Sequence, residues 1–326
     1  MKDWLEGARV RTLPASLAPV IIGAGMAFAL NSFSWVMTLL AALVALCFQI
    51  GSNFSNDYSD GVRGTDEYRV GPPRLTAGGK VKPQTVKLLA WSFFGLACVF
   101  GLILVALSGK WWLLLAGVAA VLAAWFYTGG KHPYGYMGLG ELFVLAFFGY
   151  MATIGTLYTQ AGIAPLIAWI AATGVGLVAC ALLMVNNIRD IPTDLEANKL
   201  TLAVRLGERR ARWSYYWLLA IAVALSAALS VFGFGILNAM LVFLIPVVFL
   251  ARPVLRGAQG NELLPTLRNT GIFELCYAVA ICAGMVATTV WPGVYWRVIG
   301  WSIVLAGLVI ASVLMFVSMR RRGEAK

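Results

Sequence analysis

Long apolar runs separated by short polar connections dominate the hydropathy pattern of this 326-residue chain. Most runs reach about 18 residues with few charges, the length that a helix needs to cross a hydrocarbon layer. The first run has no clear small-residue cleavage site, so we expect a span and not a cleavable leader. The pattern predicts an all-α, polytopic integral membrane bundle with ten spans near residues 13–30, 34–54, 84–107, 111–128, 139–159, 163–188, 213–232, 236–251, 271–290 and 297–318.

Composition supports this fold class. Hydrophobic residues make up 60% of the chain, charged residues only 12%, and the mean hydropathy is +0.82. An ordinary soluble domain has more polar surface than this composition can supply. The lipid bilayer is therefore the expected surrounding of most of the chain.

The basic residues follow the membrane topology. Of 25 Lys and Arg residues, only Lys110 and Arg297 fall in the predicted outer connections if the N-terminus is cytoplasmic. This bias agrees with the positive-inside rule and predicts that both termini lie in the cytoplasm. The net charge of +11 is spread over all inner loops, which disfavours nucleic acid as a partner and needs no more than anionic lipid.

Cysteine and histidine do not form a metal or disulfide pattern. The five cysteines all fall in apolar spans, their number is odd, and none belongs to a CxxC pair, so they are expected to be packing residues. His132 is the single histidine of the chain and cannot form a histidine cluster.

The acidic residues are predicted to lie at the cytoplasmic face, most of them in two clusters. NFSNDYSDGVRGTDE ends the second span, and NNIRDIPTDLEANK ends the sixth. Helix ends four spans apart share an orientation, which indicates two similar four-helix halves related by an axis along the membrane normal. We therefore predict one membrane domain, 1–326, made of a first half (1–130), a second half (131–251) and C-terminal spans (252–326).

The first cluster has the residue types of a cation site. Asn56 and Asp60 are four residues apart and share a helix face, and Asn53 lies about one turn earlier. Gly61 is the predicted helix stop, from which Asp66 would fold back. Oxygen ligands of this kind suit a hard cation, and few protein ligands completed by water and phosphate suit Mg²⁺.

The second cluster repeats this spacing with Asp190 and Asp194. Pro192 disfavours helix at Ile191, so these two acids are expected to meet across a kink. Each cluster then leads into a polar loop: GPPRLTAGGKVKP is predicted to be a turn-rich flap, and LEANKLTLAVRLGERRAR a short amphipathic helix.

Either cluster alone could consist of helix caps and solvated interfacial acids. Two clusters at equivalent helix ends, each with Asn and two Asp and with basic residues nearby, favour a binding site. Mg²⁺ would neutralise a diphosphate there, and Arg and Lys would bind its remaining oxygens. A diphosphate with a lipid tail explains why such a site lies at the membrane edge.

Three segments resemble the signature segments of the UbiA-type membrane prenyltransferases, in particular the branch that prenylates 1,4-dihydroxy-2-naphthoate. They are NDYSDGVRGTD, WFYTGGKHPYGYMGLGE and NNIRDIPTDLEANKLTLAVRLG, and RVRTLPASLAPVIIG near the N-terminus resembles the opening of the same branch. The resemblance covers most of residues 9–290. The segment 297–318 departs from it as a tenth span beyond the nine of the family.

The resemblance implies Mg²⁺-dependent transfer of a polyprenyl group from an isoprenoid diphosphate to 1,4-dihydroxy-2-naphthoate, with loss of CO₂ and formation of demethylmenaquinone. The Asn-x-x-x-Asp motif of the family falls on Asn56 and Asp60, its further aspartate on Asp66, and its Asp-x-x-x-Asp motif on Asp190 and Asp194. The candidates for diphosphate binding are Lys131, Arg189, Arg63, Arg74 and Lys199, with Arg205 as a weaker one. Each could instead be a positive-inside anchor.

Further side chains have possible roles in this reaction. Tyr58, Tyr127 and Phe147 could stabilise an allylic cation through their ring faces. Glu141 could orient a phenol or accept a proton, or could be a helix-end acid reaching the interface.

Two other function classes remain open from the residues alone. DYSDG begins like the aspartate motif of CDP-alcohol phosphatidyltransferases, but Gly64 and Thr65 replace the expected Ala-Arg and no matching second motif follows. Transport is the non-enzymatic alternative, because acids within the membrane often mark ion pathways. It is disfavoured because the acids are predicted to stop at one face. Prenylation of 4-hydroxybenzoate is the alternative within the family.

Overall fold

The structure is a computed structural model that describes residues 4, 7–9, 12–64, 74–232, 234 and 240–290. Within these ranges the chain is helical, with turns and no strand. Asp66 and the predicted span 297–318 lie outside the described residues.

Nine of the ten predicted spans are helices in the described part of the chain. Six of them (α2, α3, α5, α6, α8 and α10 below) are long and apolar enough to cross a membrane, and three (α1, α4 and α9) are shorter apolar helices. The helices are α1 (Leu13–Ala29), α2 (Trp35–Arg63), α3 (Pro83–Ser108), α4 (Leu113–Phe126), α5 (Gly140–Ala161, with a π-helical segment over Leu145–Met151), α6 (Leu166–Glu196), the short α7 (Leu202–Leu206), α8 (Glu208–Phe232), α9 (Met240–Leu255) and α10 (Gly260–Val290).

Helix α1 lies at the centre of the bundle and packs against α2, α5, α6 and α10. Its glycines allow this close packing, since a Cβ atom at Gly23 would lie 2.5 Å from the carbonyl oxygen of Thr153, and one at Gly25 2.8 Å from Sγ of Cys282. The largest hydrophobic core joins side chains of α1, α6, α8, α9 and α10. The division into two halves is not tested by this packing and stays a prediction.

The outer surface of the bundle is apolar. Helix α4 buries only Ala120 and Ala123, and leaves large side chains such as Leu115 exposed. Trp35, at the predicted outer end of α2, is 79% exposed, as tryptophans at a membrane interface are. An apolar surface of this extent requires lipid, so the chain is a multi-pass membrane protein.

The end of α2 differs from its prediction. The helix continues past Gly61 and ends at Gly64, whose φ of 75° is in the left-handed region that glycine adopts readily. Gly61 has a packing role instead, because a Cβ atom there would lie 2.6 Å from the side chain of Thr76 in the following loop. Asp60 therefore lies inside the last helical turn and not at its end.

Helix is present at Ile191, where Pro192 was expected to disfavour it, and the kink between Asp190 and Asp194 stays a prediction. Helix α6 continues through Pro192 to Glu196, because burial of Ile188, Arg189 and Asp190 on this helix outweighs the local preference of the residue before proline. Asp190 and Asp194 consequently lie on one helix face, one turn apart.

The loop after each cluster was predicted with mixed success. Residues 74–82 form turns, as predicted for the flap. The single amphipathic helix predicted over residues 195–212 is wrong: α7 is five residues long, and Gly207, with φ 74° and ψ 157°, separates it from Glu208, where α8 begins.

Candidate active site

A cavity of about 870 Å³ follows one face of α2. The lining side chains run from Ala41 to Asp60, 19 residues apart, which is about 28 Å along a helix axis. The face is apolar at Ala41 and becomes polar toward Asp60. Its lining residues are Ala41, Val44, Ala45, Phe48, Gln49, Ser52, Asn53, Asn56 and Asp60.

Asp60 lies at the polar end of this cavity and is 3% exposed. The hydroxyl of Tyr136 donates to its Oδ1 at 2.7 Å, and Nη2 of Arg74 lies 3.8 Å from its Oδ2. Arg74, from the loop between α2 and α3, is itself buried and lines the same cavity. The Asp60 carboxylate thus has a phenol and a guanidinium as partners, and an anionic ligand or a cation could exchange with them.

The two asparagines of the first cluster differ in their surroundings. Asn56 is half-buried, lines the cavity, and accepts a hydrogen bond from the hydroxyl of Thr128 at 2.9 Å. Asn53 also lines the cavity, but its amide donates to the carbonyl oxygen of Ala8 at 2.9 Å. Its Oδ1 accepts from Gln49 at 3.4 Å. Asn53 therefore ties α2 to the segment before α1.

Asp57 has a structural role. Its Oδ2 accepts from the backbone N–H of Leu75 at 3.0 Å and its Oδ1 from that of Thr76 at 2.9 Å. The side chain is 1% exposed and is not among the cavity-lining residues. These bonds hold the 74–82 loop, and with it Arg74, against α2.

Replacing Asp57 by Ala should therefore destabilise the folded protein by about 2 kcal/mol or more, because two buried backbone donors lose a charged acceptor. Thermal unfolding in detergent micelles would measure this, with Asp57→Asn as the control that keeps one acceptor oxygen and should lose less. An unfolding temperature of Asp57→Ala equal to that of the wild type would contradict the assignment.

The second cluster lies on α6 with both aspartates lining the cavity. Arg189 holds Asp190 in a bidentate pair, with Nε to Oδ1 at 2.7 Å and Nη2 to Oδ2 at 2.5 Å. Nζ of Lys199 lies 3.5 Å from Oδ1 of Asp194, and the hydroxyl of Thr201 donates to Oδ2 at 3.3 Å. Both clusters thus present carboxylates paired with bases to one cavity.

Tyr136 connects the two clusters. Its hydroxyl donates to Asp60, and its ring has the guanidinium of Arg63 5.3 Å and Nζ of Lys199 5.2 Å from the centroid. Its carbonyl oxygen accepts from the N–H of Leu200, just beyond the second cluster, at 3.1 Å. The loop between α4 and α5 therefore fixes the relative position of the two motifs.

The basic residues predicted to bind diphosphate differ in whether they line the cavity. Arg74 and Lys199 line the cavity, and Arg189 reaches it through Asp190. Lys131 and Arg205 are exposed and do not line the cavity in the described part of the chain. Arg63 donates to the carbonyl oxygens of Thr128 and Gly130.

Glu141 is buried at the start of α5, behind the cavity wall formed by Gly140. Its Oε1 accepts from Nδ2 of Asn187 at 3.2 Å, and Asn187 lines the cavity. The reading as an acid that reaches out to the interface does not fit this burial. A role in proton transfer or phenol orientation would act through Asn187 or after a side-chain rotation.

A column of aromatic rings lines the cavity next to the acids. Tyr134 stacks on Phe143 with ring centroids 3.8 Å apart, Phe143 on Phe147 at 6.2 Å, and Tyr127 meets Tyr134 edge-on at 5.4 Å. Burial raises the pKa of Tyr134, so its phenol stays neutral and donates to the carbonyl oxygen of Ala123. Of the three predicted aromatics, Tyr127 and Phe147 line the cavity, whereas Tyr58 stacks on Trp125.

The donor atoms fit a hard cation. They are oxygens only, from Asn56, Asp60, Asp190 and Asp194, and they share a cavity with bases that suit phosphate. No group of three acids in the described residues is close enough to hold an ion alone. Mg²⁺ commonly uses one or two carboxylates together with water and phosphate oxygens, which agrees with this arrangement.

Sequence reasoning missed three kinds of residue. Tyr134 and Tyr136 belong to the segment PYGYMGLGE, in which only Glu141 was given a role, and Phe143, which stacks on Tyr134, follows two residues after Glu141. Glu274 is fully buried within α10 and lines the cavity. The helix begins at Gly260, 11 residues before the predicted span, so Glu274 lies well inside a helix and not near its start. That the acids stop at one face of the membrane stays a prediction. An acid inside an apolar run was the available signal.

The fold and the site together define a polytopic helical membrane protein with one largely apolar cavity. Acidic and basic side chains line one end of this cavity. The UbiA prenyltransferase family model matches residues 16–263, and the chain belongs to this family. The sequence is 44% identical to the 1,4-dihydroxy-2-naphthoate octaprenyltransferase of Mycobacterium tuberculosis over 87% of this chain and 96% of that one. It is 38% identical to the enzyme of the same name from Escherichia coli, over 82% and 89%.

The fold is similar to that of solved members of the family. A UbiA homologue from Archaeoglobus fulgidus bound to GPP and Mg²⁺ superposes with a TM-score of 0.64 at 19% identity, covering 86% of this chain and 99% of that one. The same homologue bound to DMAPP and Mg²⁺ gives a TM-score of 0.65. At this identity the likeness establishes the helical fold.

Proposed function

We propose that the protein transfers a polyprenyl group from an isoprenoid diphosphate to 1,4-dihydroxy-2-naphthoate, with release of diphosphate and CO₂, and so forms the quinol form of demethylmenaquinone. One observation carries the proposal: both aspartate motifs, together with the basic residues paired with them, line the polar end of one cavity. This cavity extends about 28 Å along α2. The names of the relatives over most of the chain support the acceptor.

In this proposal Asn56 and Asp60 of the first motif and Asp190 and Asp194 of the second would hold Mg²⁺ together with the diphosphate. Asn53 and Asp66 stay proposed members of the first motif. Bound Mg²⁺ would supply charge neutralisation of the departing diphosphate. Arg74 and Lys199 would turn from their carboxylates to the diphosphate oxygens, and Arg189, which is paired with Asp190, would be a further contact.

Lys131 and Arg63 are proposed as outer contacts of the diphosphate, because both lie on the chain segments that surround Tyr136. Tyr127, Tyr134, Phe143 and Phe147 would cover the reacting carbon, exclude water from it and offer ring faces to positive charge that develops there. Glu141 would hold or receive a proton near Asn187.

We further propose that the site and both termini face the cytoplasm, with the apolar end of the cavity in the outer half of the bilayer. The basic bias of the inner loops supports this orientation. Reaction of a cysteine placed at position 196, at the end of α6, with an impermeant maleimide added to inside-out vesicles would test it.

The reaction is tested with the protein in membranes, a long-chain allylic diphosphate and 1,4-dihydroxy-2-naphthoate labelled in its carboxylate. We expect release of labelled CO₂ together with a prenylated product, and loss of both when EDTA removes divalent cations. Turnover of 4-hydroxybenzoate alone would keep prenyl transfer and change the acceptor. Absence of a prenylated product with every aromatic acceptor would overturn the proposal.

A further inference from the structure

Glu274 is the buried acid to which the proposed reaction has so far given no role. It lies ten residues after Leu264 in α10, about 15 Å along the helix axis. Its exposed fraction is 0%, and neither carboxyl oxygen has a hydrogen-bond partner among the described residues. It nevertheless lines the cavity.

This arrangement is unfavourable for the protein without a ligand. A carboxyl that leaves water without gaining a hydrogen-bond partner destabilises the folded state, whichever protonation state it adopts. Buried polar groups without a partner are rare in folded proteins, and a residue retained at such a cost is expected to have a functional partner.

The cavity walls differ in polarity. The wall formed by α3 and α4 carries apolar side chains throughout both helices, for example Leu102, Val105 and Leu114. The wall formed by α1 and α10, which pack against each other, carries Ser16 and Glu274. A polyprenyl tail therefore fits against α3 and α4, which leaves the polar wall for the ring that it joins.

Depth limits which part of the acceptor can reach Glu274. Tyr277, one turn after Glu274 on α10, lies against α6, because a Cβ atom at Gly174 would overlap with its phenol oxygen. Gly174 is 16 residues, or about 24 Å, from Asp190 on the same helix. The diphosphate and the reacting carbon would occupy the end near Asp190. The ring then extends from there toward Glu274. A ring hydroxyl of the acceptor can hydrogen-bond with the Glu274 carboxyl in either protonation state of that carboxyl.

We propose that Glu274 binds the aromatic acceptor by hydrogen-bonding one of its ring hydroxyls, so that this hydroxyl points into the membrane and the reacting ring carbon faces the diphosphate. This inference rests on the proposed function and adds an acceptor-binding residue to it. It assigns the polar wall of α1 and α10 to a hydroxylated aromatic ring.

The first test compares Glu274→Leu with Glu274→Gln. Leu has a similar size and removes the hydrogen bond, so KM for 1,4-dihydroxy-2-naphthoate should rise about tenfold or more, while KM for the allylic diphosphate stays within about twofold. Gln keeps an acceptor oxygen, and its KM for the naphthoate should stay within about threefold of the wild type. The ligand-free Leu variant should also unfold at a higher temperature, because the unpaired buried carboxyl is gone.

The second test removes the partner from the acceptor. 1-Hydroxy-2-naphthoate and 4-hydroxy-2-naphthoate each lack one hydroxyl, and one of them should bind the wild type at least about fivefold more weakly than the dihydroxy compound. In Glu274→Leu that difference should disappear, because the same hydrogen bond cannot be lost twice. Quenching of tryptophan fluorescence measures this binding without turnover.

Tyr277→Phe is the matched control. Tyr277 is fully buried one turn further along the same helix, donates to the carbonyl oxygen of Ala222 at 2.9 Å and does not itself line the cavity. Its loss should lower the unfolding temperature and leave both KM values unchanged. Prenyl transfer by the wild type with an unaltered naphthoate KM in Glu274→Leu would overturn this inference alone. Absence of prenyl transfer in the wild type would instead overturn the proposed function.

Discussion

Asp60→Asn and Asp194→Asn should each lower kcat by about 1,000-fold or more, equivalent to ~4 kcal/mol of transition-state stabilisation. Each substitution removes one negative charge from a motif proposed to hold Mg²⁺, and the two motifs act on the same diphosphate. The steady-state rate of prenylated product formation in proteoliposomes measures the effect. Both variants should remain folded, because amide and carboxylate have the same shape and Tyr136 and Thr201 can still donate to the remaining oxygen.

Glu196→Gln is the control for this pair. Glu196 ends α6, is exposed and does not line the cavity. The substitution Glu196→Gln removes one negative charge from the end of α6 that carries Asp194. A general electrostatic effect of losing a negative charge would therefore appear in this variant as well. We expect activity within about twofold of the wild type. More than a tenth of wild-type activity in either aspartate variant would contradict a role for that motif in the reaction.

Gly101→Phe should convert the protein into an enzyme for short substrates. Gly101 lines the apolar part of the cavity, where the nearest atom to a Cβ would be Cγ2 of Val44 at 3.9 Å. A phenyl ring can enter this space and would occupy the path of a long tail. kcat/KM for a long-chain polyprenyl diphosphate should fall about 100-fold or more, and kcat/KM for geranyl diphosphate should change less than about threefold.

Gly95→Phe tests whether the effect is specific to the cavity. Gly95 is on the same helix, is exposed, does not line the cavity and has no atom within 4 Å of a Cβ position. It should leave the ratio of the two kcat/KM values unchanged. An unaltered ratio in Gly101→Phe would place the tail outside the cavity wall of α3.

The helices could be predicted from the sequence because a bilayer-crossing segment must satisfy its backbone internally and be apolar over its length. Nine predicted spans agree with helices for this reason. The helix ends could not be predicted as well, since they depend on packing between segments. Gly61 continues the helix because Thr76 packs on it, and Pro192 is tolerated because its neighbours are buried.

The two acidic motifs could be found because their Asn/Asp and Asp/Asp spacing is local. Their partners could not be found in this way. Arg74 reaches Asp60 through a loop that Asp57 anchors, and Tyr136 reaches Asp60 from 76 residues further along the chain. Glu274 was overlooked because its significance depends on three-dimensional burial and on which helices surround the cavity.

The central claim is that both motifs bind one diphosphate at the polar end of one cavity. Equilibrium binding of an unreactive thiolo analogue of geranyl diphosphate, titrated with Mg²⁺ into the wild type, Asp60→Asn and Asp194→Asn, tests it most directly. We expect Mg²⁺-dependent binding to the wild type and at least about tenfold weaker binding to each variant. Wild-type affinity in either variant, or binding that does not depend on Mg²⁺, would contradict the claim.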